Sequence, residues 1–393
     1  MNELNWWRSL LADDPLPGQR GSGVPSAAGC YPRTMTGGKG AKLMDLDGRE
    51  QTDYCLANGS LILGHPEQEF LRSVAAVAER AVPTVARKEL ESRFSDVVRE
   101  AFPSMEWTHF SVSSNDSLDD AIRTARHGTG REDIIWIAPG RPGTHQELGE
   151  EMTTLPFNDL DALITAPALR ETAAIVMEPV PCFPGPVAPE GDYLRAVREI
   201  ATDHGIMLVF DERTTGFRMA MGGAQERYHV VPDLTVLGRT AGGGLPIGIC
   251  GGTGSPIDDA SNGVNGTAID PMTFAAGLET VKRLRSEGHD RLNEMGERMG
   301  KGLEAVLNEF HVRYTATAVG SMFQVFLDLE DRPGNVRRRI PDLYLKVQQR
   351  LLDNGVYFSP MQRGTNFIST AHTAADIDDA VSAVLVSLGE IAL

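Results

Sequence analysis

The stretch IMLVFDERTTGFRMAMGGAQERYHVVPDLTVLGRTAGGGLPIG, residues 206–248, decides the reading of this chain. It opens on an apolar run that stops at Asp211 and Glu212, and a second run, LTVLG at 234–238, stops at Arg239. Short apolar runs bounded by turn residues read as strands buried on both faces. Similar runs lie upstream: HFSVS at 109–113, DIIWIA at 133–138 and AAIVMEPV at 173–180. Helical spacing separates or follows them in SLDDAIRTARHGT (117–129), EGDYLRAVREIATDHG (190–205) and MTFAAGLETVKRLRSEG (272–288). Such alternation predicts an α/β fold with a mostly parallel sheet covered by helices. Ligands of these sheets sit at the carboxyl ends of the strands, so Asp211 is among the first places to look.

Outward from this block, KLMDLDGREQTDY (42–54) reads as two short strands around an Asp47-Gly48 turn, and residues 66–101 carry helical spacing. After about residue 284 the pattern changes to a long helix at 291–310, strands such as SMFQVFLDL (321–329), a helix near 341–355 and a closing helix from 374. That is the pattern of a smaller α+β domain.

The 393 residues carry a formal net charge of -17. This disfavours nucleic acid and anionic membrane surfaces as partners, because both reward basic patches. No apolar run approaches the ~18 residues of a membrane span. The start, MNELNWWRSLLADDPLPGQR, lacks the basic and apolar regions of a secretory signal, and the expectation is a cytoplasmic protein. Cys30, Cys55, Cys182 and Cys250 lie far apart without a CxxC pair, which fits reduced thiols and argues against a zinc site.

Several stretches resemble one family. GKGAKLMDLDGREQTDY (38–54), LILGH (61–65) and residues 210–248 resemble the class III aminotransferases. VGSMF (319–323) and FISTAHT (367–373) resemble the glutamate-1-semialdehyde aminomutase branch of that family. The resemblance covers roughly residues 35–390. It implies the fold type I architecture of transferases dependent on pyridoxal phosphate (PLP). It also implies a large domain at 50–283, a small domain at 284–393 joined by the N-terminal segment 1–49, and a homodimer with the site at the subunit interface.

By that resemblance Asp211 matches the aspartate that pairs with the pyridine nitrogen. Gly266-Thr267 matches the pair that reaches the phosphate from the other subunit. SSNDS (113–117), with Ser114 and Asn115, stands at the phosphate loop; as residues alone it reads equally as a helix cap. Asn58 falls where the family has a substrate-facing aromatic, and Arg363 lies near a substrate-facing loop. Glu212, Cys182 and His372 read as structural.

Three positions depart from the family. Arg239 stands where the family has the lysine that holds PLP covalently. A guanidinium titrates at about 12.5–13.8, so its neutral fraction at pH 7 is on the order of one in 10⁵ or less, and it cannot form that bond. Arg213 stands where a valine packs on the ring, and Arg141, in GRPGT (140–144), where a tyrosine stands on the other face.

Three arginines facing one pocket call for anionic partners, because burying unpaired cations costs several kcal/mol each. Asp211 serves one of them; the others fit a carboxylate or phosphate. The leading expectation is an enzyme with no cofactor that acts on a small anionic or acyl substrate, with Arg239, Asp211 and Arg213 as catalytic groups and Asp211 as base or orienter. Arg141, Asn58, Ser114, Asn115, Thr267 and Arg363 then line the substrate site. Two alternatives stay open: a PLP- or pyridoxamine-phosphate (PMP)-dependent aminotransferase or aminomutase with a base other than lysine, and a noncatalytic dimer partner of an active homologue.

Overall fold

The computed structural model describes residues 35–79, 89–138, 152–254, 269–310, 313–328 and 336–392. Among these, one compact unit takes residues 70–181 and 188–286, and a second takes residues 35–69, 182–187 and 287–392.

The second unit begins with β1 (Met35–Lys39), β2 (Lys42–Asp45) and β3 (Glu50–Asp53), an antiparallel meander. Gly48, at φ +80°, makes the β2–β3 turn, and its N–H donates to the Asp45 carbonyl at 3.0 Å.

The first unit follows with α1 (Gln68–Ala78), α2 (Glu89–Ala101), β4 (Trp107–Ser111), α3 (Ser114–Thr129), β5 (Asp133–Ala138), β6 (Met152–Pro156), β7 (Thr172–Met177), α4 (Tyr193–His204), β8 (Met207–Asp211), β9 (Leu234–Gly238), β10 (Gly248–Gly252) and α5 (Pro271–Glu287). The strands form a seven-stranded sheet in the order β4-β10-β9-β8-β7-β5-β6. β10 runs antiparallel to both its neighbours, β4 and β9, while β9, β8, β7, β5 and β6 are parallel. Every residue of β7 and β9 is buried, as expected for strands covered on both faces. α3 supplies one cover. Leu118, Ala121, Ile122 and Ala125 on its inner face pack with Trp136, Val176, Val209, Val236 and Cys250 of the sheet. Gly130, in the left-handed conformation, ends this helix, and its N–H donates to the Arg126 carbonyl.

The chain closes in the second unit with α6 (Asp290–Leu307), β11 (Arg313–Val319), β12 (Met322–Asp328), α7 (Val336–Asp353), β13 (Val356–Tyr357), β14 (Asn366–Phe367) and α8 (Ala374–Ala392). β13 pairs parallel with β3, and β11, β12 and β14 make a separate sheet. The pairing of β3 with β13 explains why residues 50–69 group with the C-terminal elements, whereas the sequence places the start of the large domain at 50. No helix among the described residues is long and apolar enough to cross a membrane.

Candidate active site

Asp211 is the last residue of β8, at the carboxyl end of a central parallel strand, and is 2% exposed. The next residue fixes it in place. Glu212 is wholly buried, and its carboxylate accepts hydrogen bonds from Ala224 N (2.6 Å), Gln225 N (3.1 Å), Gln225 Nε2 (3.1 Å) and Thr215 Oγ1 (2.8 Å). Burial pushes the Glu212 carboxyl above its ordinary range, and these four donors pull it back only in part. The side chain is a brace that ties the end of β8 to the short helix Gly223–Tyr228.

Arg213 turns back onto Asp211. Its Nε donates to Asp211 Oδ1 at 2.8 Å and its Nη2 to Oδ2 at 2.7 Å, while its backbone N–H reaches Oδ1 at 3.2 Å. The far end of the guanidinium, Nη1, donates to Asn115 Oδ1 at 2.5 Å. Burial pushes the Asp211 carboxyl up, but the charge and hydrogen bonds of Arg213, and the charge of Arg239, bring it below the usual carboxylate range. Asp211 is therefore a fixed anion at neutral pH. A carboxylate held ionised in this way is a poor proton acceptor.

Two glycines let the first turn of α3 reach the strand ends. A Cβ on Gly238 would lie 2.7 Å from Ser114 Cβ, and one on Gly248 would collide with the Ser113 carbonyl and the Ser117 hydroxyl. Ser113 caps the helix, its Oγ accepting from Asn115 N at 3.2 Å and Asp116 N at 3.3 Å. The stretch SSND is thus an N-cap, and Asn115 is an acceptor for Arg213. Directly after Gly238, half-buried Arg239 adopts φ +45°, a left-handed conformation that non-glycine residues rarely take and that often marks a functional position.

The first unit so brings Asp211, Arg213, Ser114, Asn115 and Arg239 to one end of the sheet. Asn58 and Arg363 belong to the second unit. There Asn58 is exposed at φ +56°, within a left-handed turn that also holds Leu56, Ala57 and Gly59. Arg363 is half-buried, and its carbonyl accepts from Gly185 N at 3.1 Å. Arg141, Gly266 and Thr267 lie outside the described residues. Cys182 is buried, with Sγ 3.5 Å from Met322 Sδ. His372 is fully buried, its Nδ1 facing Ser369 Oγ at 2.8 Å. No cluster able to hold a metal ion occurs among the described residues. Sequence reasoning missed the link from Asn115 to Arg213; the signal for it was the pair of glycines that seats α3 against β9 and β10.

The aminotransferase class-III family profile matches residues 138–385. A glutamate-1-semialdehyde 2,1-aminomutase from Methanothrix thermoacetophila is 35% identical over 418 residues, covering 97% of this chain and 96% of its own. A solved transaminase with PLP bound superposes with a TM-score of 0.84 at 22% identity, over 98% of this chain and 96% of that one. A lysine-to-alanine variant of a glutamate-1-semialdehyde aminomutase from Pseudomonas aeruginosa PAO1, in complex with PMP, superposes with a TM-score of 0.79 at 21% identity, over 91% and 88% of the two chains. The architecture is that of the fold type I PLP-dependent transferases. These findings overturn the expectation that no cofactor is used, since the family and its solved neighbours work with PLP or PMP. Arginines in a pocket do not by themselves signal the loss of a cofactor, because one of them, Arg213, finds its counter-ion in Asp211. By the profile match, by relatedness along nearly its whole length and by fold, the chain belongs to the class III aminotransferases.

Proposed function

We propose that this chain is a PLP- or PMP-dependent aminotransferase or aminomutase that acts on a small anionic substrate, holds its cofactor noncovalently and moves protons with a residue other than lysine. The observation that carries the reading is the buried, ionised Asp211 at the carboxyl end of β8, beside the N-terminus of α3. The residues present fit the cofactor. A carboxylate has about four acceptor directions. Residue 213 fills three on Asp211, two at Oδ1 and one at Oδ2, and the guanidinium held there keeps two N–H groups that a ring nitrogen can accept from. The positive end of α3 suits a phosphate.

When bound, the cofactor supplies a conjugated ring that draws electrons from the carbon bearing an amine. Asp211 orients that ring through the Arg213 guanidinium that it holds. Arg239 supplies a permanent positive charge at the end of β9, suited to holding a substrate carboxylate and unsuited to shuttling a proton. A homodimer belongs to this proposal.

The test is amine transfer from PMP. Protein loaded with PMP is mixed with a panel of small 2-oxo and semialdehyde acids, and the absorbance change from the PMP to the PLP form is followed. Conversion with at least one acid is expected. Saturable PMP binding without conversion by any member of the panel would leave a binding protein and reject the enzymatic reading.

A further inference from the structure

We infer that Arg213, held in place by Asp211, faces the ring nitrogen of bound PMP or PLP and keeps that nitrogen neutral. The inference rests on the proposed function and goes beyond it, to the electronic state in which this site holds its cofactor.

The geometry is a closed fork. Nε and Nη2 of Arg213 each hold one oxygen of Asp211, at 2.8 and 2.7 Å, and Asn115 Oδ1 holds Nη1 at 2.5 Å. The guanidinium is therefore pinned at both ends. Its side chain is 16% exposed, against 2% for Asp211, so the accessible face of the pair is the cationic one.

A protonated pyridine nitrogen is a cation that needs an anion to itself. At this site the anion is already neutralised by a fixed cation within hydrogen-bond contact, and Arg239 adds a second positive charge. A ring N–H donating to the last acceptor direction of Oδ2 would stand beside the guanidinium, and like charges at that range repel strongly in a buried site. A neutral ring nitrogen meets no such penalty. Arg213 has five N–H groups, of which three are used by Asp211 and Asn115, so two remain as donors, and a neutral pyridine nitrogen is an acceptor. Because arginine does not give up its proton, the proton that the ring nitrogen carries in free acid solution is released to solvent on binding. An apolar residue at position 213 would reverse this balance, leaving Asp211 free to hold a protonated ring.

The test uses PMP labelled with ¹⁵N in the ring, bound to the full-length protein at pH 7, with the ring ¹⁵N chemical shift as the readout. It reports protonation of the ring directly and is not moved by a merely structural role of Arg213. The wild-type protein is expected to show the shift of neutral pyridine. Arg213→Val is expected to move it to the pyridinium position, and Arg213→Val combined with Asp211→Asn to return it to neutral. Should Arg213→Val not fold, Arg213→Lys replaces it; one ammonium cannot fork both oxygens, and a partial move toward pyridinium is expected. A pyridinium shift in the wild-type protein, or the same shift in wild type and the position-213 variant, overturns the inference while leaving the proposed function standing. Absence of saturable PMP binding in every one of these proteins rejects the proposed function and the inference together.

Discussion

Gly223 stands directly against the Glu212 carboxylate at φ +68°, with no room for a Cβ beside Oε2. The brace that holds the end of β8 therefore depends on a residue without a side chain. Gly223→Ala adds a methyl group where the space is filled and where an L-residue is strained. It is expected to destabilise the fold by about 2–4 kcal/mol, from overpacking together with the left-handed backbone. Urea denaturation measures this; a loss below about 1 kcal/mol would show that Glu212 can move aside.

The ion pair of Asp211 and Arg213 is nearly removed from solvent. Removing one partner leaves a buried charge alone, and Asp211→Asn is expected to destabilise by about 3–5 kcal/mol. Adding Arg213→Val to it removes the stranded guanidinium and should recover most of that loss. If the double variant is no more stable than Asp211→Asn alone, the pair is not the dominant interaction of either residue.

His372 predicts an acid-sensitive window. Burial lowers its pKa to about 4, against the opposing charges of Asp376 and Asp53 and with the help of Lys42. Tyr54 packs on its ring at 4.6 Å between centroids, and its Nε2 has no hydrogen-bond partner. With the folded pKa below the unfolded value near 6.5, the unfolded chain binds more protons between the two. Stability then falls as pH drops through that window, by up to about 1.4 kcal/mol per unit. His372→Gln should flatten the slope between pH 6.5 and 4 measured by chemical denaturation. Asp211 acts at lower pH: its depressed pKa gives stability that is present above the unfolded carboxylate value and lost as pH falls through the folded one. An unchanged slope in His372→Gln would assign the acid loss to carboxylates.

Arg239→Ala removes a permanent cation from the end of β9. A hydrogen bond to a charged group contributes about 1.5–3 kcal/mol, so affinity for an anionic substrate should fall roughly 10- to 150-fold while the thermal midpoint holds. Equal affinity for anionic and neutral substrate analogues in wild type and variant would remove Arg239 from the site.

Much of this was legible in the sequence, for physical reasons. TAAIVM and LTVLG are buried on both faces, and no amphipathic period competes with the strand reading. Asp211 follows from its place at the end of such a strand. β10, with the sequence GICGG, was not legible, because glycines weaken strand propensity. Their reason is tertiary: Gly248 makes room for the first turn of α3, and Gly251 for Trp107 and Met105. The cofactor was misjudged because the sequence showed three arginines but not their partners. The fork from Arg213 to Asp211, and the pin from Asn115, exist only once β8 and α3 meet.

The central claim is a class III enzyme that holds PLP without a covalent lysine bond. Equilibrium dialysis of purified protein against PLP, followed by intact-mass measurement with and without borohydride, tests it most directly. The account predicts saturable PLP binding that dialyses away, and a protein mass unchanged by borohydride treatment. A borohydride-fixed adduct on any lysine of the chain would contradict it.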